Sequence, residues 1–251
     1  MSTIKASKRS ELASELLKSR FIRLNEWVEQ TTVDLDEETA TKIGKKAGKY
    51  VTLLSSVVAK GEREYYKRLE NALSRALADM LGKPQTVLVV GLGNPSMTAD
   101  ALGKSVIERV RVTRGLNEDA SCMVCTLCPN VLGVTGVESY DVVRGVVDRI
   151  KPDVILAVDS LCASSPSRLL TAFQLTDTGI APGSGVNSFR FRIDKESMGV
   201  RVISIGVPLV VYASMLLDSN EEELVVTPKD VDILVEECAE VIAGAINDAL
   251  F

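Results

Sequence analysis

The stretch that most constrains the fold runs from residue 87 to 109, VLVVGLGNPSMTADALGKSVIER. Four consecutive apolar residues, Val87 to Val90, read as a strand buried on both faces. A glycine-rich turn follows, Gly91-Leu92-Gly93-Asn94-Pro95, and then Thr98 and Asp100, both good helix N-caps. Beyond Ala101 the apolar positions Leu102, Val106, Ile107 and Val110 recur at helical spacing. The unit is strand, loop, helix, and it delivers Asp100 to the carboxyl end of a strand. In open α/β sheets that edge binds ligands and carries the chemistry.

Two further apolar runs, Asp153–Val158 and Val202–Val207, repeat the strand signal. Between and around them lie amphipathic helices. Glu62–Leu81 carries Tyr65, Leu69, Leu73, Ala76 and Leu77 on one face and stops at Gly82. Ser139–Ile150 carries Val142, Val143, Val146, Val147 and Ile150. A last helix opens at Thr227-Pro228-Lys229-Asp230, with Thr227 as N-cap and Pro228 at N1, and runs to about Leu250. Tyr50–Val58 and Cys122–Leu127 read as additional strands, and Val210–Leu217 follows the third apolar run. Apolar strands alternating with helices predict a three-layer α/β/α fold on a mostly parallel sheet. The 251 residues suit one such domain over 31–251. Residues 1–30 precede it as a loosely packed arm, helical over Glu11–Leu24 and closed by Trp27.

Composition excludes several functions. The chain contains no histidine. That removes Ser-His-Asp and Cys-His catalysis, HExxH zinc sites and histidine general bases. A net charge of −5 argues against nucleic acid as a direct partner. No apolar stretch approaches the roughly 18 residues of a membrane helix, and the N-terminus has no apolar core of a secretion signal. Five cysteines, an odd number, suit a reducing compartment better than a disulfide framework.

The short motifs are incomplete. Gly91-x-Gly93 lacks the third glycine of a dinucleotide fingerprint, because Ser96 stands there. Gly103-Lys104-Ser105 has the end of a phosphate loop, but Thr98 replaces its first glycine. Cys122, Cys125 and Cys128 are spaced C-x-x-C-x-x-C, yet residues three apart on a strand point to opposite faces, so they read as structural thiols. No cofactor and no metal is expected.

Asp100 and Asp159 remain. Either aspartate alone reads as a cap or a loop anchor. Each also stands at the carboxyl end of a predicted parallel strand, so the two can converge at one edge. Two close carboxylates do not both ionise easily and share a proton. One then acts as base for a water and the other as acid for the scissile group.

At this point the chain resembles the germination protease family, endopeptidases that degrade small acid-soluble spore proteins. The resemblance is carried by IGKKAGKYVTL (43–53), VVGLGN (89–94), DALG (100–103), PNVLGVTGVES (129–139), KPDVILAVDSL (151–161), QLTDTGIAPGSGV (174–186), GVRVISIGVPLVV (199–211) and VTPKDVDILVEECAEVIAGAINDAL (226–250). It implies a sheet like that of the hydrogenase-maturation proteases and an aspartic-type endopeptidase made as a zymogen. Its two essential aspartates fall in the DALG and A-[IV]-D motifs, here Asp100 and Asp159. Ser10-Glu11-Leu12-Ala13-Ser14-Glu15-Leu16 resembles the family's own substrate sequence, which implies self-cleavage between Glu15 and Leu16 and a propeptide of about the first fifteen residues. The family further implies a homotetramer in the forespore or spore core, a cytoplasmic compartment, with no required metal.

This chain departs from the family pattern in places. Ala99 precedes the first aspartate where proline is usual, Asn187-Ser188-Phe189-Arg190 replaces a basic run, and Tyr212 stands where the family has an aspartate. The segment between Leu217 and Val225 is short. These differences leave a catalytically inactive scaffold or binding protein of the same fold as the alternative. Peptidyl-tRNA hydrolase shares the Val-Gly-Leu-Gly-Asn-Pro run at 90–95, but its chemistry needs the histidine this chain lacks.

Overall fold

A computed structural model describes residues 10–17, 20–116, 120–182, 191–215 and 224–251. One mixed sheet organises them. Its strands are β1 (Ile22–Arg23), β2 (Glu29–Leu35), β3 (Gly48–Leu54), β4 (Thr86–Gly91), β5 (Met123–Leu127), β6 (Val154–Ala163), β7 (Ala172–Thr176), β8 (Arg201–Tyr212) and β9 (Val225–Val226). They lie in the order β1-β2-β3-β7-β8-β6-β4-β5, with β9 on β8. β8, β6, β4 and β5 run parallel. The β1, β2, β3 and β7 half joins them by antiparallel pairing.

Helices cover both faces, as the alternation along β4 dictates. Val87 and Val89 pack into the cluster formed by α3 (Tyr66–Leu81), α4 (Leu102–Ile107) and α8 (Val231–Leu250). Leu88 and Val90 pack on the opposite face with Val143 and Val147 of α6 (Ser139–Ile150). Leu69, Leu73 and Leu77 of α3 are fully buried; burial of each contributes about 2 kcal/mol. Gly82 ends α3 with a positive φ. Asp36 caps α2 (Glu37–Ile43), its carboxylate accepting the Thr39 amide at 2.7 Å.

The elements depart from the sequence reading in several places, among them β3, which ends at Leu54 rather than Val58. β6 does not end at Asp159 but continues to Ala163, because β8 pairs with it beyond that point. The 202–207 and 210–217 segments are one strand, β8, through Tyr212; residues 216 and 217 lie outside the described residues. β2 and β7 are not among the expected strands, because β2 has only Val33 and Leu35 as apolar residues and Gln174 and Thr176 interrupt the short β7. Phe173 and Leu175 enter the core while Gln174 and Thr176 take the other face. The last helix starts at Val231, and Thr227 caps nothing: its hydroxyl donates to the Leu209 carbonyl at 2.8 Å.

The N-terminal arm also differs. Among the described residues of the arm, helix is confined to α1 (Ala13–Leu16), and Leu12 and Ala13 are 0% exposed, so residues 10–17 are seated rather than loose. Position 30/31 falls inside β2. Trp27 stacks on Tyr65 with ring centroids 3.7 Å apart, which ties the β1–β2 hairpin to the start of α3.

Candidate active site

Backbone packing at the end of β4 brings the two aspartates together. The Leu92 amide donates to the Val158 carbonyl at 2.8 Å, so the chain leaves β4 alongside the residue before Asp159. Gly91 and Gly103 then touch backbone to backbone. A Cβ on Gly91 would lie 2.2 Å from the Gly103 carbonyl oxygen, which is why neither position holds a larger residue. Gly93, at φ +100°, turns the loop back over the 98–100 turn.

Asp100 does not cap the following helix. α4 has no side-chain cap, and the Asp100 carboxylate instead accepts the Asn94 amide at 2.7 Å within the loop. Asp159 is buried inside β6, beyond the last residue of β4, and its carboxylate accepts the Ser160 amide at 2.9 Å. Both aspartates line one cavity of about 330 Å³, together with Glu11, Asn94, Ser139 and Cys162. Burial, then the charge of Asp100, then that of Glu11 hold the Asp159 carboxyl well above the usual carboxylate range. The Ser160 amide works the other way without overcoming them.

The arm lies in the cleft beside this pair. The Glu11 amide donates to the Cys162 carbonyl and the Cys162 amide donates to the Glu11 carboxylate. Gln174 grips the arm by its backbone: its carboxamide nitrogen donates to the Glu11 carbonyl at 3.1 Å and its oxygen accepts the Ala13 amide at 2.7 Å. Glu15 accepts the Ser164 and Ser165 amides at 2.9 and 3.1 Å and bonds the Ser10 hydroxyl. Leu16 is half-buried at the end of α1.

Of the residues read from sequence, the structure therefore joins Asp100 and Asp159 in one cavity. It places Glu15 elsewhere, clamped to amides five and six residues past Asp159. The residues that sequence reasoning missed are Glu11 and Gln174. The signal for Gln174 was an amide side chain in the middle of the apolar run Ala-Phe-Gln-Leu. Cys122, Cys125 and Cys128 are free thiols, with Cys122 buried. Among the described residues no group of three or more His, Cys, Asp or Glu side chains is arranged to hold a metal ion. No helix among them is long and apolar enough to cross a membrane.

Fold and site together define a three-layer α/β protein with a carboxylate pair in a peptide-filled cleft. The chain belongs to the germination protease family, whose sequence model matches residues 6–221. A germination protease of Caldanaerobacter subterraneus subsp. tengcongensis is 36% identical over 86% of this chain and 82% of its own length. One from Clostridium perfringens is 31% identical over 90% of this chain and 86% of its own length. One from Oceanobacillus iheyensis is 42% identical over 72% of this chain and 53% of its own length. Among solved structures, a NiFe hydrogenase maturation protease, HycI from Thermococcus kodakarensis KOD1, is similar at 21% identity and a TM-score of 0.44, over 70% of this chain and 98% of that one.

Proposed function

We propose that this chain is an aspartic-type endopeptidase that begins the breakdown of small acid-soluble spore proteins during germination. One observation carries the reading: a buried aspartate with a raised pKa shares a cavity with a second aspartate and with Glu11 of the chain's own N-terminal arm. Asp159 keeps the shared proton at ordinary pH and acts as the acid. Asp100, oriented by the Asn94 amide, acts as the base. As water adds to the scissile carbonyl carbon, Asp100 takes one of its protons and Asp159 protonates the carbonyl oxygen. Collapse of the tetrahedral intermediate breaks the C–N bond: the leaving nitrogen departs with the proton held by Asp100, and one hydroxyl of the intermediate returns its proton to Asp159 as the C=O re-forms. The products are a carboxylic acid and an amine.

The seated arm supports a self-processing zymogen cut between Glu15 and Leu16. The Glu15 side chain is held about five strand residues past Asp159, roughly 16 Å along β6. Processing therefore begins with release of Glu15 from Ser164 and Ser165. The family supports a tetramer working in the forespore or spore core.

Incubation of the purified protein with a peptide containing Glu-Ile-Ala-Ser-Glu-Phe tests the reading. Mass spectrometry is expected to find cleavage between Glu and Phe, together with loss of residues 1–15 from the protein itself. An intact peptide and an intact N-terminus across mildly acidic to neutral pH would contradict it.

A further inference from the structure

A second cavity, of about 240 Å³, adjoins the one that holds the aspartates; Glu11 and Leu161 line both. The sheet itself forms its floor. Gly206 is the register partner of Asp159 across β6–β8 and of Gln174 across β7–β8, so the cavity begins one strand spacing from Asp159. Gln174, Thr176 and Ser204 continue the floor, and Tyr50, Thr178, Lys45 and Arg192 complete a polar wall.

The cations on this wall are in different states. Arg192 is occupied by the Asp194 carboxylate and the Thr178 carbonyl. Lys46 is paired with Asp194 and Glu196. The Lys45 ammonium meets no carboxylate among the described residues. It donates to the Glu11 carbonyl of the arm at 3.0 Å, and burial lowers its pKa.

The arm crosses this cavity with Glu11 in its lining, and the charges of Glu11 and Glu15 act on Lys45 against its burial without closing an ion pair with it. Ser10 turns its hydroxyl to the Leu12 amide and to Glu15, and Glu11 turns its carboxylate to the Cys162 amide. When the arm leaves, Lys45 loses its acceptor, and an enclosed ammonium without one is strongly unfavourable. A peptide taking the arm's place restores the balance by sending in an anionic side chain.

We infer that this cavity is the subsite that receives a glutamate or aspartate side chain of the peptide being cut, and that Lys45 is the residue that selects it. The inference rests on the peptidase reading above. A lysine or arginine side chain would meet like charge from Lys45 and Arg192.

The test compares the full-length protein with Lys45→Met and Lys45→Arg, using the peptide SELASELL and analogues with glutamine for the first or the second glutamate. Wild type is expected to lose about tenfold or more in kcat/KM on at least one of these replacements. In Lys45→Met the parent peptide should fall to the level of that analogue, with discrimination under about twofold and the change mainly in KM. Lys45→Arg should keep most of the preference, which separates charge recognition from a folding defect. Undiminished discrimination in Lys45→Met overturns the inference.

If wild type cuts none of the peptides, the peptidase reading fails on its own account. Binding of the fluorescein-labelled peptides to the same proteins then decides the subsite. A preference for the glutamate form that Lys45→Met abolishes supports it; equal binding of both forms, or of neither, overturns it.

Discussion

Glu11 and Cys162 hold each other by two hydrogen bonds, amide to carbonyl at 3.0 Å and amide to carboxylate at 2.7 Å. The contact seats the arm on β6 three residues past Asp159, and it also adds a negative charge to those acting on Asp159. Seating of the arm and titration of the site are therefore linked through one side chain. Glu11→Gln is expected to loosen the arm and to lower the Asp159 pKa together, seen as faster loss of residues 1–15 and an acid-shifted pH profile of cleavage.

The raised pKa of Asp159 has a definite consequence for stability. An acid whose pKa is higher folded than unfolded binds more protons in the native state between the two values. Stability then falls as pH rises from the unfolded value near 3.9 through the raised folded value, and stays reduced above it. Asp159→Asn removes the ionisation and keeps an oxygen for the Ser160 amide. Its Tm is expected to match wild type near pH 4 and to exceed it increasingly toward neutral pH. Parallel Tm curves for the two proteins would count against the assignment.

Asp194 carries the opposite sign. Burial pushes its carboxyl up, but the Lys46 ammonium and the Ser197 amide and hydroxyl outweigh burial and hold it down at about 2. Its stabilisation is present above the unfolded value and is lost as pH falls from near 3.9 toward about 2. Asp194 also closes the capping box of α7 (Lys195–Met198) and takes Arg192. Asp194→Ala is expected to cost about 1–3 kcal/mol at neutral pH in urea unfolding, with the difference shrinking toward pH 2.

Gln174 is the arm's backbone clamp, so Gln174→Ala leaves the Ala13 amide without its acceptor. Hydrogen exchange at Ala13 should speed up by about tenfold or more, from a bond worth about 0.5–1.5 kcal/mol plus the loss of local order. Unchanged protection at Ala13 would show that the arm is held elsewhere.

Gly93 sits at φ +100°, and a Cβ there would lie 2.1 Å from the Asp100 carbonyl oxygen. Gly93→Ala is expected to cost about 1–3 kcal/mol in strain and to reduce cleavage further by displacing the Asp100 turn. An active enzyme of normal stability would mean that the loop adapts without cost.

Much of the parallel half was legible because burial on both faces leaves uninterrupted apolar runs. Val87–Val90 and Asp153–Val158 name β4 and β6 directly, and 3.6-residue periodicity names α6 to the residue. Asp100 and Asp159 do share a cavity, but the strand-end argument for it holds only on the β4 side, because Asp159 lies inside β6. What escaped was the half where one sheet face is polar. Gln174 and Thr176 interrupt β7, and Glu29 to Leu35 alternates too weakly to stand out. The seat of the arm was illegible for a different reason. Leu12 is buried in the cluster that holds Leu161, Ala163 and Ala172, and Ala13 in the one that holds Leu35, Ala40 and Tyr50, groupings that no local pattern encodes.

The most direct test of the carboxylate pair is the rate of peptide cleavage by Asp159→Asn, measured beside wild type on protein whose fold is verified by circular dichroism. The account predicts a fall of about a hundredfold to ten-thousandfold with KM little changed. A rate within about threefold of wild type would contradict it.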